Sequence, residues 1–207
     1  MDMPYIADVS ALVRERRITI GPEFVSGRVD AENRVRDLLD DAGELTEHQA
    51  RELLVLFKTQ VVAGREHHNR FGLTFRAGAV TLVRNMDVFN DRLQKLWKGD
   101  EETALHVLDE TLKTRSSFPG AGSSLPSMLL YLRDPTRHAI WIGSTIDGLH
   151  FCTGAPRLDT TGGVHAYRAF CTQAHAFRAQ YALKPQELDA VLAEATRLHS
   201  EGNQPAR

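Results

Sequence analysis

The chain has few of the features that would assign it to a specialised class of protein. Only two cysteines, Cys152 and Cys171, occur in 207 residues, which excludes a disulfide-rich scaffold and favours a reducing, cytoplasmic location. No apolar run approaches the roughly 20 residues that a membrane-spanning helix needs, and the first residues lack the basic-then-apolar pattern of a secretion signal. With 42% hydrophobic and 25% charged residues, the composition predicts a soluble globular protein with no membrane partner.

Sequence motifs that bind nucleotide phosphates or activate a nucleophile are also missing. The chain contains no Gly-x-x-x-x-Gly-Lys-Ser/Thr loop, no Gly-x-Gly-x-x-Gly after a predicted strand and no Gly-x-Ser-x-Gly elbow. The sequence therefore predicts no cofactor and no catalytic residue, and it favours a non-enzymatic role over an enzymatic one.

The net charge of −2 hides an uneven distribution of charge along the chain. Residues 1–50 contain six Arg against eleven Asp or Glu, whereas residues 65–98 contain seven basic and three acidic side chains. Residues 111–140 and 155–184 are each basic, with a balance of +3. Because polyanions bind to local basic faces, a nearly neutral total does not exclude a nucleic-acid partner.

Apolar residues recur at helical spacing along most of the chain, which predicts a mainly α fold of eight or nine helices. The predicted helices cover about residues 8–17, 30–42, 46–61, 80–97, 100–112, 123–133, 144–149, 164–181 and 185–199. Thr46 and Gln49 form a capping-box pattern, Asp100 suits an N-cap, and Pro185 suits a first helical turn. We expect residues 1–199 to form a single helical domain, with a subdivision near residues 99–100 as an alternative. Residues 200–207 have the composition of a disordered tail or linker.

The segment at residues 118–124 is the strongest functional candidate. Gly120 and Gly122 tolerate positive φ angles and follow a proline, which predicts a tight hairpin between two helices. A helix that begins at Ser123 or Ser124 would direct its free N–H groups and its dipole out of that hairpin, and this arrangement favours an anion. The basic residues on both sides are Lys113, Arg115, Arg133 and Arg137. We interpret the segment as a helix–hairpin–helix clamp for a phosphate backbone, with an ordinary helix corner as the alternative.

DNA glycosylases with a helix–hairpin–helix carry a similar Leu-Pro-Gly-Val-Gly hairpin. That resemblance implies a catalytic Asp roughly 18–20 residues after the second glycine, where it would support base excision. Positions 140–142 carry Ile, Trp and Ile here, and the nearest carboxylates are Asp134 and Asp147. A glycosylase-like protein without the usual Asp is therefore a second alternative, and it would require Asp134, Asp147 and Asp159 to meet in one cleft.

A zinc site is a further alternative at the two cysteines. His150 with Cys152 and Cys171 with His175 could supply four ligands at short spacing, as zinc sites do. The spacing is that of no known zinc finger, and both cysteines have apolar sequence neighbours. We therefore expect these residues to pack in the core and predict no metal.

Residues 118–154 contain four features in a fixed order. They are the Ser-Met-Leu-Leu run at residues 127–130, the Leu-Arg-Asp-Pro-Thr-Arg turn at residues 132–137, an aromatic residue at Trp141, and Leu149 with Thr153 and Gly154. This order resembles the N-terminal α-helical region that precedes the motor in many McrB-type AAA+ restriction and defence proteins. The resemblance implies a module that selects DNA, while a motor or nuclease subunit or domain outside this chain does the chemical work.

The sequence thus favours a DNA-binding recognition module of a restriction or antiviral defence system, with duplex DNA preferred over single-stranded DNA. The first alternative is a protein–protein interaction domain that docks a partner subunit through an exposed apolar face around Trp141 and Phe151.

Overall fold

A computed structural model of the protein describes residues 6–57, 59–62, 64–68, 79–114 and 118–202, and this part of the chain is mainly helical, as the sequence predicted. Within it, nine α-helices and one antiparallel hairpin follow one another along the chain. The helices are α1 (Val9–Asp41), α2 (Glu47–Leu56), α3 (Ala79–Leu82), α4 (Met86–Trp97), α5 (Glu101–Lys113), α6 (Ser124–Arg133), α7 (Gly143–Thr153), α8 (Gly163–Gln180) and α9 (Pro185–Gly202). The hairpin strands are β1 (Thr59–Val62) and β2 (Arg65–His68), and a 3-10 turn (Thr160–Gly162) precedes α8.

The two helices predicted at residues 8–17 and 30–42 are both present within α1, but they are longer than predicted and meet at a kink. Asp8 caps the start of α1 by accepting a hydrogen bond from the amide of Ala11 at 2.8 Å. The bend lies at Gly21, whose φ of 69° and ψ of 159° are not helical. Pro22 begins the second half, where the missing N–H of proline costs nothing because the first turn has no partner for it.

Two of the predicted helices are interrupted in the structure. The capping box of Thr46 and Gln49 is confirmed, but α2 ends at Leu56 and Val61 lies in β1. The helix predicted over residues 80–97 is divided into α3 and α4, because Asn85 caps α4 by accepting a hydrogen bond from the amide of Val88. The apolar residues keep helical spacing across both interruptions, so this spacing alone did not show where the helices end.

Helix α6 is the centre of the fold. Every residue from Ser124 to Leu132 is buried, and Asp134 and Pro135 end the helix as predicted. Behind it, residues 138–142 run without regular secondary structure. Trp141 is fully buried there, with its ring 5.3 Å from that of Tyr167.

Helices α7 and α9 pack closely against each other, and α9 is longer than predicted. A side chain at Gly148 of α7 would collide with the backbone of Leu192 in α9. Helix α9 continues to Gly202, so the first residues of the predicted tail are helical. The Ser200 hydroxyl donates to the carbonyl of Thr196, and Arg197 pairs with Glu201, which extends the last turn. Residues 203–207 lie outside the described residues.

A buried network of charged side chains joins α1, α6 and α9. Arg28 donates to Glu32 at 3.1 Å and to Asp189 at 2.6 Å. The Tyr131 hydroxyl also donates to Glu32, at 3.0 Å. Burial opposes the charge of Arg28, but the neighbouring carboxylates outweigh it and raise the pKa of the guanidinium further above its ordinary value. The composition alone did not predict this network.

In the described ranges, no helix has both the length and the apolar character needed to cross a membrane.

Candidate nucleic-acid interface

The turn at residues 118–123 is anchored at two positions and exposed at two others. Phe118 and Ala121 are each only 1% exposed, and the Phe118 ring packs edge-on against Phe89 with 6.0 Å between ring centroids. Gly120 and Gly122 are exposed and adopt φ angles of 82° and 53°. A Cβ at Gly122 would meet nothing within 4 Å. These φ angles favour glycine at both positions, and the space outside Gly122 is open.

The two serines at the start of α6 have different environments. Ser123 is half-buried and makes no side-chain capping hydrogen bond. Ser124 is 4% exposed, and its hydroxyl points back to the carbonyl of Ala121 at 3.4 Å. The Ser124 side chain is therefore part of the packed helix, and only main-chain groups at this residue remain candidates for the predicted phosphate contact.

The structure separates the predicted basic residues into two groups. Lys113, at the end of α5, lies five residues before Phe118 and pairs with Asp109 at 2.5 Å. Arg133 is the last residue of α6, about 14 Å from its start at 1.5 Å per residue, and Arg137 follows it. Arg115 lies outside the described residues. The predicted single cluster of cations around the turn is therefore not formed by Arg133 and Arg137.

Arg133 and Arg137 both contact neighbouring groups of the protein. The Arg133 guanidinium donates to the backbone carbonyl of Leu96 at 3.2 Å, which fixes the end of α6 to the end of α4. Arg137 lies 3.8 Å from the Glu101 carboxylate, although its side chain is 65% exposed. In the folded chain both side chains therefore connect the ends of neighbouring helices.

A groove between α5 and α8 contains Lys113 at one end and Arg137 at the other. It consists of one cavity of about 440 Å³ near Lys113 and one of about 280 Å³ near Arg137, and Arg168 lines both. This groove was not predicted from the sequence. The available signal was that the 18 residues of α8 contain no acidic side chain but carry two Arg and two His.

The start of α8 is already occupied by a carboxylate from α5. Asp109 accepts a hydrogen bond from the amide of Val164 at 3.1 Å. The hydrogen bond from Lys113, together with that amide, lowers the pKa of Asp109. Gly163 has a φ of 60°, and a Cβ there would collide with the Asp109 carboxylate. The positive end of this helix dipole is therefore compensated within the protein.

The smaller cavity of the groove contains the densest group of polar side chains. His138 is 4% exposed, stacks on Tyr167 with 6.0 Å between ring centroids, and places Nε2 3.4 Å from Glu101. Burial lowers the pKa of His138, against the opposing effect of Glu101. Burial also lowers the pKa of His175 on the same wall. Cys171 completes this wall.

The structure does not support zinc ligation by the cysteines. Burial raises the pKa of Cys152 to about 12 and that of Cys171 to about 11 in the metal-free protein. The ring of His150 contacts the carbonyl of Ala155 at 2.6 Å instead of a thiol. Among the described residues, no three His, Cys, Asp or Glu side chains are arranged to hold a metal ion.

The three carboxylates that a glycosylase-like site would need have separate local partners. Asp134 accepts a hydrogen bond from the hydroxyl of Thr136 at 2.6 Å, and Asp159 accepts one from Thr161 at 2.6 Å. Asp147 accepts one from Arg157 at 2.5 Å. Hydrogen bonds from Thr161 lower the pKa of Asp159, which therefore stays ionised rather than serving as an acid.

The apolar face expected around Trp141 and Phe151 is wrong, because these side chains are only 0% and 7% exposed. Trp141 packs between α6 and α8, and the Phe151 ring stacks on His199 at 3.7 Å. Neither ring is available to a partner subunit in this conformation.

No family model, no curated protein and no solved structure matches the chain. The resemblance of residues 118–154 to the McrB-type region therefore stays a prediction.

Proposed function

We propose that the protein is a DNA-binding recognition module of a restriction or defence system. It holds the phosphate backbone of duplex DNA with the turn at residues 118–123 and with Lys113. The observation that supports this proposal is the exposed main chain at Gly120 and Gly122, with open space outside Gly122 and a ten-residue helix directly behind. The catalytic work belongs to a motor or nuclease subunit or domain outside this chain.

The anchoring of the turn makes it suitable for a phosphate. Since Phe118 and Ala121 hold the turn in the core, little conformational entropy is lost when a ligand binds. The exposed glycines let a phosphate approach main-chain N–H groups closely, and the start of α6 contributes the positive end of its dipole. Lys113 is 65% exposed and adds a positive charge.

Arg133 and Arg137 do not belong to this contact. Their guanidinium groups are held near α4 and α5 at the far end of α6. We therefore assign the proposed binding to Lys113, Gly120, Gly122 and Ser123, and we expect substitutions at the two arginines to act on stability more than on DNA affinity.

Lys113→Gln tests the charge contribution, and Lys95→Gln is its matched control. Both lysines lie in the last turn of a helix and pair with an Asp four residues earlier. Each phosphate contact contributes about 0.9 to the slope of log affinity against log salt. We expect Lys113→Gln to reduce this slope by about 1 for a short duplex, measured by fluorescence anisotropy, while Lys95→Gln keeps the wild-type slope.

Replacing Gly120 and Gly122 together with Asn tests the turn itself. Asn tolerates positive φ better than other side chains, so the fold should persist, while the added atoms obstruct the exposed main chain. We expect at least a tenfold loss of duplex affinity, with a melting temperature near that of the wild type. Salt-dependent binding that is unchanged in this double variant would contradict the proposal.

A further inference from the structure

We propose that the cavity of about 280 Å³ between α5 and α8 binds a phosphate group, at a site separate from the turn. The residues around it are Glu101, Leu105, Arg137, His138, Tyr167, Arg168, Cys171, Thr172 and His175. The proposal goes beyond the DNA contact described above and does not depend on it.

Two side chains on the cavity wall, those of His175 and Arg168, can form hydrogen bonds to a ligand. Both ring nitrogens of His175 are shielded from solvent, and neither has a hydrogen-bond partner among the described residues. The carbonyl of Arg137 is close enough to the ring to raise its pKa by a weak hydrogen bond, although the contact lies outside ideal hydrogen-bond geometry. Arg168 is exposed and has no carboxylate within 4.0 Å in the described part of the chain. Buried polar groups in native proteins are nearly always hydrogen-bonded, and an anion in the cavity would supply an acceptor for the His175 ring.

The charge around the cavity favours an anion over a cation. Two guanidinium groups, Arg137 and Arg168, face the single carboxylate of Glu101. That carboxylate is already shared between Arg137 at 3.8 Å and His138 at 3.4 Å. With neutral histidines the lining side chains therefore carry one excess positive charge. Arg178 adds positive potential at His175, and Asp134 opposes it.

A phosphate group suits this wall in size and in chemistry. A water molecule occupies about 30 Å³ in the liquid, so the cavity can hold a phosphate group together with several waters. Guanidinium groups bind phosphate oxygens through paired, charge-assisted hydrogen bonds. A protonated His175 would donate a further hydrogen bond, and the Thr172 side chain lies at the rim.

The ligand is either a free phosphate ion or the phosphate of a larger ester. Arg168 lines both this cavity and the neighbouring one of about 440 Å³, so the body of an ester could extend along the groove. Inorganic phosphate and adenosine monophosphate are suitable probes, because tighter binding of the second would identify an ester as the preferred form.

Titration calorimetry with both probes tests the site in the full chain. We expect Arg168→Gln and His175→Gln each to weaken binding about tenfold or more, since a lost charge-assisted hydrogen bond is worth at least that factor. Arg51→Gln is the control, because Arg51 is a half-exposed arginine on α2 that lies outside the cavity wall. Each variant's melting temperature shows whether it remains folded.

Sulfate isolates the contribution of the histidines, because it keeps two negative charges between pH 5 and 8. If one proton is taken up with the anion, affinity rises about tenfold for each pH unit between the pKa of the bound ring and the lower pKa of the free ring. We expect this rise between pH 8 and pH 6 in the wild type and a smaller one in His175→Gln.

Absence of phosphate, sulfate and nucleotide binding at millimolar concentration would overturn the proposal, as would equal affinities in wild type, Arg168→Gln and His175→Gln. The outcome is distinguishable from that of the DNA proposal. The Gly120 and Gly122 variants should keep phosphate binding in the cavity, and Arg168→Gln should keep the effect of the turn on duplex affinity.

Discussion

Gly148 shows how one atom controls the contact between two helices. A Cβ at this position would lie well under 3.0 Å from the carbonyl oxygen, carbonyl carbon and Cα of Leu192. All three are backbone atoms, so no side chain can rotate to make room. The close contact of α7 and α9 therefore depends on the absence of a side chain here, and no helical periodicity in the sequence reveals this requirement.

We expect Gly148→Ala to lower the free energy of unfolding by about 3 kcal/mol, because overpacking forces the two helices apart. Gly143→Ala is the matched control at the start of the same helix, where a Cβ would meet nothing within 4 Å. That substitution should be neutral or stabilise by about 0.5 kcal/mol. Urea denaturation of both variants measures the difference, and equal stabilities would contradict the packing argument.

In the candidate site, too, the sequence predicts local backbone conformation but not which side chains face the core. The sequence predicted the positive φ of Gly120 and Gly122 from their order after a proline, and the structure has it. It could not predict that Ser124 faces inward, because that depends on which side of α6 meets the core. The cavity wall of His138 and His175 was equally out of reach, since it brings together residues from three separate segments.

At the scale of elements, local capping signals were reliable and apolar periodicity was less so. Thr46, Asp100 and Pro185 each begin a helix as predicted, because their effect involves only the next few residues. The apolar period failed at Val61 and at Asn85, where a strand and a second cap interrupt it. Both breaks retain apolar side chains nearby, so a pattern that counts only hydrophobicity passes over them.

The contact of α1, α6 and α9 depends on charges that are almost fully removed from water. Arg28 and Glu32 are each 2% exposed, and Asp189 is 6% exposed. The paired charges keep each other ionised. Removal of one partner leaves the others buried without compensation, which is far more costly than the net contribution of the pair.

We expect Arg28→Met to destabilise the protein by about 3–5 kcal/mol, because Asp189 would lose its cation and Glu32 would keep only the more distant Arg36, at 3.6 Å. The combination of Arg28→Met, Glu32→Leu and Asp189→Leu should recover much of that loss, since an apolar replacement removes the buried charges as well. Thermal unfolding followed by circular dichroism compares the two. A single variant as stable as wild type would show that water enters the network.

At the scale of the whole molecule, one hydrophobic cluster extends from Leu12 in α1 to Ala195 in α9. It includes Trp97 before and Ala104 after the position where a subdivision was considered. The two proposed binding sites lie at the margins of this cluster, at the turn before α6 and in the groove between α5 and α8. The mainly α architecture follows from composition and period, whereas the location of these margins follows from how the helices assemble.

The buried histidines beside and within α8 also make the stability of the fold depend on pH. Burial lowers the pKa of His138 and His175 below the ordinary value, which is about 6.5 in the unfolded chain. The unfolded state therefore binds more protons below that pH, and stability decreases as pH falls from about 6.5 toward the pKa of the folded protein. The lowered pKa of Asp109 adds a second loss of stability, below about pH 4.

We expect the melting temperature to fall between pH 7 and pH 5 in a phosphate-free buffer. His175→Gln should flatten this decrease, because a side chain that does not titrate removes one of the two proton-linked sites. The exposed His165 on the same helix supplies the control, and His165→Gln should keep the wild-type dependence. Adding phosphate at pH 6 should raise the melting temperature of the wild type more than that of His175→Gln, since a bound anion stabilises the protonated ring. An equal increase in both proteins would show that the anion binds outside the cavity. The loss of stability at low pH would then be unrelated to anion binding in the cavity.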